Sequence, residues 1–244
     1  MKAQSFSLAL LLFTISCSNN GMSVNELKFG GLKGNVSSYK EFVYDAEEKF
    51  GEVVPDDLEG VTIYEYDKDG HQIKFGIYDE DGDVIYKYED TFEKGVLVSR
   101  TAMQRYGDKR TESRIVERNK NYLKWCHEYG TANEYTTEVF YEKNFLCEKK
   151  ENGEKVSEIV FDKEGRIIDQ KNYFDGELSS RIKNEYNDAG LLVKSIQYGT
   201  WNLDKGDVLT YKYVEFDKKG NWVTSHVYEN GELEAIQKRE IIYR

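Results

Sequence analysis

Carboxylates on tight loops are the first places in this chain where chemistry could reside. Asp67 and Asp69, then Asp79, Asp81 and Asp83, then Asp204 and Asp207 each gather oxygen ligands within a few residues. Calcium needs about six to eight such oxygens, and an EF-hand loop adds a distal Glu at fixed spacing. Neither that spacing nor the glycine-rich nonapeptide of calcium-binding β-rolls is present, so these groups read as solvated turns and no metal is expected. His71, His127 and His226 stand far apart. Cys126 and His127 are adjacent, which on a strand sends them to opposite faces and prevents a shared site. No nucleophile, base or metal set is assembled by spacing. A non-enzyme without catalytic residues or cofactor is expected, with a hydrolase kept as a remote alternative. Trp125, Trp201 and Trp222 are the candidate ligand contacts, because aromatic faces stack on sugar rings or clasp peptides. Trp201 sits in a segment, Gly199 to Gly206, that departs from the rhythm of the chain.

The N-terminus carries a different kind of chemistry. Lys2 supplies a positive start, and Phe6 to Ile15 supply an apolar run of about ten residues, too short to span a bilayer and suited to a signal peptide. Thr14-Ile15-Ser16-Cys17 resembles a bacterial lipobox. That resemblance implies cleavage after residue 16, with Cys17 becoming the new N-terminus and carrying diacylglycerol and palmitate. Two or more acyl chains hold a protein durably on a membrane, at about 0.8 kcal/mol per buried CH₂. Ser18 resembles the residue that directs lipoproteins to an outer membrane. No acidic stretch follows Cys17, which points to the periplasmic face. Residues 17–34 form the lipidated cysteine and a flexible tether.

The formal net charge is −11, and it becomes one unit more negative when Lys2 leaves with the signal. So acidic a surface argues against nucleic acid and against docking on anionic headgroups. After Cys17 only Cys126 and Cys147 remain. Turns between them place them on strands separated by one other strand, about 10 Å apart, beyond the roughly 7 Å reach of a disulfide. Two free thiols are expected. Aromatics are 14% of the chain while all hydrophobic residues together are 39%, which suits sheets held by tyrosine faces rather than a thick aliphatic core.

The elements that must carry these residues follow from one recurring pair. An aromatic stands directly before Asp, Asn, Glu or Gly at Tyr66-Asp67, Tyr78-Asp79, Tyr106-Gly107, Phe161-Asp162, Tyr186-Asn187, Phe216-Asp217 and elsewhere, roughly every 12 to 14 residues. Alternating runs such as Ile73, Phe75 and Ile77 lie between them. An Asp opens each turn, and a Gly closes it at a positive φ, as in Asp67 to Gly70 and Asp217 to Gly220. Short connections force antiparallel pairing. A first strand is expected over Val36 to Tyr44, an exposed acidic insertion over residues 45–60 around Pro55, and about 14 or 15 strands after residue 61. An open sheet that long must curl. The expected fold is all-β: one domain over residues 35–244, a long antiparallel β-meander of repeated hairpins, curled into a superhelical ribbon or a partly closed barrel. Its turn-flanking aromatics would form rows along the two edges.

Tyr64-Glu-Tyr66-Asp67-Lys-Asp-Gly70 with Tyr78-Asp79-Glu-Asp-Gly82, and Phe216-Asp217-Lys-Lys-Gly220 with Tyr228-Glu-Asn-Gly231, resemble YD repeats of the RHS type. A cysteine-anchored chain of such repeats is similar to YD-repeat-like lipoproteins of Bacteroidetes. The resemblance covers residues 61–244 and speaks to fold. The functional expectation is a cell-envelope protein, anchored to the outer membrane through lipid on Cys17 and facing the periplasm. It would bind or scaffold a protein partner of the envelope, the alternative being glycan binding through Tyr and Trp platforms.

Overall fold

The computed structural model describes residues 31–105, 110–142, 145–199 and 202–244. Cys17, the Tyr106-Gly107 pair, Trp201 and the Asp204 side chain lie outside the described residues. Sixteen strands follow one another: β1 (Val36–Lys49), β2 (Glu52–Tyr66), β3 (Gln72–Asp79), β4 (Val84–Glu93), β5 (Val96–Gln104), β6 (Thr111–Asn119), β7 (Tyr122–His127) and β8 (Tyr135–Glu142) form the first half. The second half is β9 (Phe145–Glu151), β10 (Glu154–Phe161), β11 (Ile167–Phe174), β12 (Glu177–Tyr186), β13 (Leu192–Gly199), β14 (Asn202–Phe216), β15 (Trp222–Glu229) and β16 (Glu232–Tyr243). Each pairs antiparallel with its neighbours in sequence, and β1 pairs with β16, so the meander closes into a barrel. Of the ribbon and barrel that the sequence leaves open, the molecule takes the barrel.

The turns do what the Asp and Gly positions imply. At Asp67 the carboxylate Oδ1 accepts the backbone N–H of Asp69 and of His71, each at 2.9 Å. The same two bonds recur at Asp162, Asn187 and Asp217. Each of these turns ends in a glycine with positive φ, +82° at Gly220, where a side chain would be strained. A second turn type has two residues, both with positive φ: Asn152-Gly153, Asp175-Gly176, Asn230-Gly231, Lys94-Gly95 and Phe50-Gly51. That is the type I′ geometry, whose twist matches the strands it joins.

Because connections alternate between the two ends, the start of β1 and the end of β16 fall on one rim. This near rim also holds the turns at Asp67, Asp162, Asn187 and Asp217, while the Phe50, Asn152, Asp175 and Asn230 turns form the far rim. The N-terminal segment is pinned to the near rim. Asn221 accepts the N–H of Lys33 at 2.7 Å and donates to the Lys33 carbonyl at 2.9 Å. Leu32 and Val36 pack with Tyr39 and Tyr66.

One expectation is corrected here. Residues 45–60 are not a loop insertion but the continuation of β1 and β2, which pair up to Lys49↔Glu52. The acidic composition and Pro55 suggested an irregular segment. Pro55 is tolerated because it lies above the barrel, where no third strand needs its N–H.

The core is the concave face. On β4 Tyr88 and Asp90 are buried, while Lys87, Glu89 and Thr91 between them are exposed. Register carries that face around the ring: Asp90↔Arg100, Arg100↔Ser113, Ser113↔His127. Leu97, Leu123, Trp125, Val139 and Tyr141 form its largest apolar cluster. Mid-strand aromatics form a ladder across β1 to β4, with Tyr39–Tyr64 centroids at 4.3 Å, Tyr64–Phe75 at 5.2 Å and Phe75–Tyr88 at 5.4 Å. The expected rows of aromatics at turns are therefore joined by a ladder in the middle of the wall.

Asp217→Ala removes the acceptor of two turn N–H groups and of the Tyr243 hydroxyl. It should destabilise the barrel by about 1–2 kcal/mol in urea unfolding, while Asp217→Asn, which keeps Oδ1, should cost well under half of that. Equal losses would mean that the turn bonds are not what Asp217 supplies.

Candidate functional site

Three places hold enough polar groups to be a site: the inner wall, the Asp67 turn and the rims.

On the inner wall, Arg100 and Asp90 form a two-pronged pair, Nε to Oδ1 at 2.6 Å and Nη2 to Oδ2 at 2.8 Å. The Asp90 side chain is 0% exposed. Burial pushes its carboxyl upward, and Arg100 pulls it back. The guanidinium lies 3.6 Å from the centroid of the Tyr88 ring, with Trp125 at 5.9 Å. Gln72 donates to the Tyr88 hydroxyl. A second cluster of the same make sits on β16, β1 and β15. Arg239 donates to Glu41 at 2.8 Å and stacks 3.5 Å above Trp222. Both arginines are held by a carboxylate and covered by rings, so neither is free to meet an anionic ligand.

His127 lies between these strands. Its Nδ1 is 2.8 Å from Ser113 Oγ and its Nε2 is 2.8 Å from Thr137 Oγ1. Burial first, and then the Lys149 ammonium, push its pKa down to about 4. A serine beside a histidine suggests a nucleophile and base, but the third member is wrong. A productive base has its other nitrogen held by a carboxylate and a pKa near the working pH. Here the imidazole is neutral and bonded on both sides to hydroxyls, which suits a wall-bracing role.

The Asp67 turn brings Asp67, Asp69 and His71 together with ligand atoms within 4.8 Å of one another. Asp67 Oδ1 is taken by two backbone N–H groups, and Oδ2 is 3.0 Å from His71 Nδ1. Burial would raise the Asp67 pKa, but the bonds from the His71 backbone and ring outweigh it and hold it low. The Asp162 turn has the same frame with Arg166 in place of His71, its Nε 2.6 Å from Oδ2. A cation in that place shows that the carboxylate is built to hold the turn and its fifth side chain.

Two of the three candidate ligand tryptophans, Trp125 and Trp222, are not surface platforms; Trp201 lies outside the described residues. Trp125 is 3% exposed and lies in the apolar cluster of the inner wall. Trp222 is 8% exposed, beneath Arg239. Each belongs to the inward face, which the sequence could not distinguish from the outward one because both faces alternate with polar residues. Cys126 and Cys147 are free, on β7 and β9 with β8 between them. Two shallow concavities, over Leu97, Ile115 and Arg118 and over Glu154, Lys155 and Tyr173, contain no histidine, serine or cysteine.

The outward face is the feature that spacing alone did not show. Register turns scattered charges into ladders: Glu65–Lys74–Glu89, Lys124–Glu138, Lys171–Glu158, Arg181–Asp169 and Lys194–Glu185. These pairs lie on β2–β4, β7–β8 and β10–β13. Individually they contribute little to stability. Together they put charge among the exposed apolar residues of the exterior, such as Val116, Val160, Ile168 and Val214, where a lipid-facing barrel would be apolar throughout.

No known protein family profile matches the chain, and no curated protein sequence is significantly similar. Solved structures do resemble it. A porin-like protein from Bacteroides uniformis superposes with a TM-score of 0.53 at 12% identity, over 86% of this chain and 99% of that one. A porin-like protein from Bacteroides vulgatus covers 86% of this chain and 98% of its own, at 13% identity with a TM-score of 0.39. The first of these likenesses establishes the shared barrel fold.

Two outcomes test the inner wall. Asp90→Ala leaves Arg100 buried without its partner and should destabilise the barrel by about 3–5 kcal/mol, whereas Asp90→Leu with Arg100→Met should cost much less. A double variant as unstable as the single would show that the pair is more than a buried ion pair. His127 is depressed in the folded state, so unfolded chains bind the proton first as pH falls. Stability should therefore drop between about pH 6.5 and pH 4. His127→Gln should flatten that part of the melting-temperature profile. An unchanged slope would assign it to other groups.

Proposed function

We propose that this protein is a cell-envelope lipoprotein whose barrel stands outside the bilayer and binds or scaffolds a protein partner. The observation that carries this reading is the set of outward ion pairs. A Lys or Arg on the lipid face of a membrane barrel costs about 2–4 kcal/mol at the bilayer midplane. Here Lys74, Lys124, Lys171, Arg181 and Lys194 all occupy the outward face in mid-strand, each with a carboxylate beside it. Insertion would strand most of these pairs in hydrocarbon. The porin-like likeness therefore extends to the ring of strands and not to a lipid-facing surface.

Attachment falls to Cys17. The lipobox-like Thr14-Ile15-Ser16-Cys17 and the following Ser18 support acylation and an outer-membrane anchor, and the missing acidic stretch supports a periplasm-facing orientation. The YD-like turns support kinship with repeat lipoproteins of Bacteroidetes. The described segment that leads back to Cys17 enters at the near rim, so the far rim points away from the membrane. On the inner wall Arg100 and Arg239 are held in ion pairs with Asp90 and Glu41 and covered by rings, while Trp125 Nε1, Ser157 Oγ and Asn184 Oδ1 are buried without a hydrogen-bond partner among the described residues; the exterior and the rims are the surfaces open to a partner. Glycan binding is not favoured, because Trp125 and Trp222 are buried.

Fractionation decides the matter. The wild-type protein should sediment with outer membranes, incorporate labelled palmitate and need detergent for release. Cys17→Ala should lose the label, and the barrel from residue 31 onward should be monodisperse in detergent-free buffer. A barrel that stays membrane-integral without Cys17 would overturn the reading.

A further inference from the structure

The β1–β2 hairpin rises above the far rim. Pairing of β1 with β16 ends at Asp45↔Ala235, and pairing of β2 with β3 begins at Gly60↔Asp79. Above these points β1 and β2 pair only with each other, from Ala46↔Pro55 to Lys49↔Glu52. Residues 46–59 thus form a two-stranded ribbon with both outer edges unpaired. At about 3.3 Å per residue, the ribbon reaches on the order of 15 Å beyond the ring.

Its tip breaks the rule that the other hairpins keep. The first residue of the two-residue turn is Asn152, Asp175, Asn230 or Lys94 elsewhere, and Phe50 here. The Phe50 side chain is wholly exposed, at 107%. Neither turn geometry nor packing calls for a phenyl ring at this point. Large exposed aromatics that project from a framework are the anchors of protein interfaces.

Charge says what the ring would meet. Glu47, Glu48, Glu52, Asp56 and Asp57 line the ribbon, whose one lysine, Lys49, is held by Glu47 at 2.6 Å. The connections beside it add Glu80, Asp81 and Asp83 after β3 and Glu229, Glu232 and Glu234 around the β15–β16 turn. The near rim is mixed, with Lys33, Lys94, Lys120, Lys218 and Lys219 on its connections beside Asp67, Asp69, Asp162, Glu164, Asp188 and Asp217. An acidic arm is repelled by anionic headgroups and attracted to a surface of opposite sign.

We propose that the hairpin Ala46–Glu59 is a docking arm: Phe50 enters an apolar pocket of a partner protein whose surrounding surface is rich in Lys and Arg. This rests on the reading of the barrel as a partner-binding protein. Complementary charge would speed the encounter and fix the orientation, and the ring would slow dissociation.

The test uses the full lipidated chain in its own cells, with the photo-cross-linker p-benzoylphenylalanine at position 50. The same group at Phe174, another exposed far-rim position, is the control. One discrete protein adduct is expected from position 50 and not from 174. It should fall at least about tenfold when Glu47, Glu48 and Glu52 are changed to Gln. Mass spectrometry should identify a protein with a basic surface. With that protein purified, Phe50→Asn should weaken binding at least about tenfold while the melting temperature holds or rises, since Asn suits the turn. No adduct, an adduct indifferent to the three Gln changes, a lipid adduct or a second copy of this chain would each overturn the proposal. If lysine cross-linking then captures a specific partner elsewhere on the barrel, the arm fails and the binding reading stands; if it captures none, both fail.

Discussion

Closure of β1 onto β16 is the constraint on which the rest of the molecule depends. Without it the meander would have two bare edge strands and two wet faces. With it, each described strand has a neighbour on both sides, and one face is turned away from bulk water. The chain is only 39% hydrophobic and could not cover two faces of so large a sheet with aliphatic side chains. Closure reduces the demand to a single concave face. The near rim reinforces it: Asn221 ties the N-terminal segment to the β14–β15 turn, and the Arg244 N–H reaches the Asn35 carbonyl at 2.8 Å.

That concave face explains why the inner wall carries so many polar groups yet offers so little chemistry. A narrow, sheltered surface built from strands with alternating sequence inherits charged and hydroxyl residues. Each must be paired or it penalises folding. Arg100 with Asp90, Arg239 with Glu41, and His127 between Ser113 and Thr137 are three solutions to one problem. Covering each guanidinium with Tyr or Trp removes it further from water and raises the cost of separating it from its acid. The wall is consequently specific in register: a one-residue slip would turn Asp90 outward and bring Glu89 inward, away from Arg100.

The turns were legible in the sequence because their chemistry is local. Asp67, Asp162, Asn187 and Asp217 each bond backbone groups within four residues, so residue type alone announces them. The all-β class and the separation of Cys126 from Cys147 follow from counting those turns. Closure was not legible, because it is the sum of small register shifts over sixteen strands and no single residue encodes it. The burial of Trp125 and Trp222 was hidden for the same reason, since deciding which face is concave requires the ring. Residues 46–59 misled because the ribbon buries neither face. It shows no hydrophobic alternation: acids, Lys49, Pro55 and Phe50 surround an isolated Val53-Val54 pair and Leu58.

Sorting charge by location gives the barrel a direction. Its outward face is electrically mixed, so the net charge of −11 is carried disproportionately by one end. The β1–β2 ribbon and the far-rim β3–β4 connection are acidic, while the near-rim connections carry lysines among their turn acids, beside the entering N-terminal segment. An anionic bilayer would draw the lysines of the near rim toward itself and push the acidic ribbon away. In the proposed reading, with lipid on Cys17 and the barrel outside the bilayer, tether and field would favour the same orientation, and the acidic ribbon would be the part that extends furthest from the near rim.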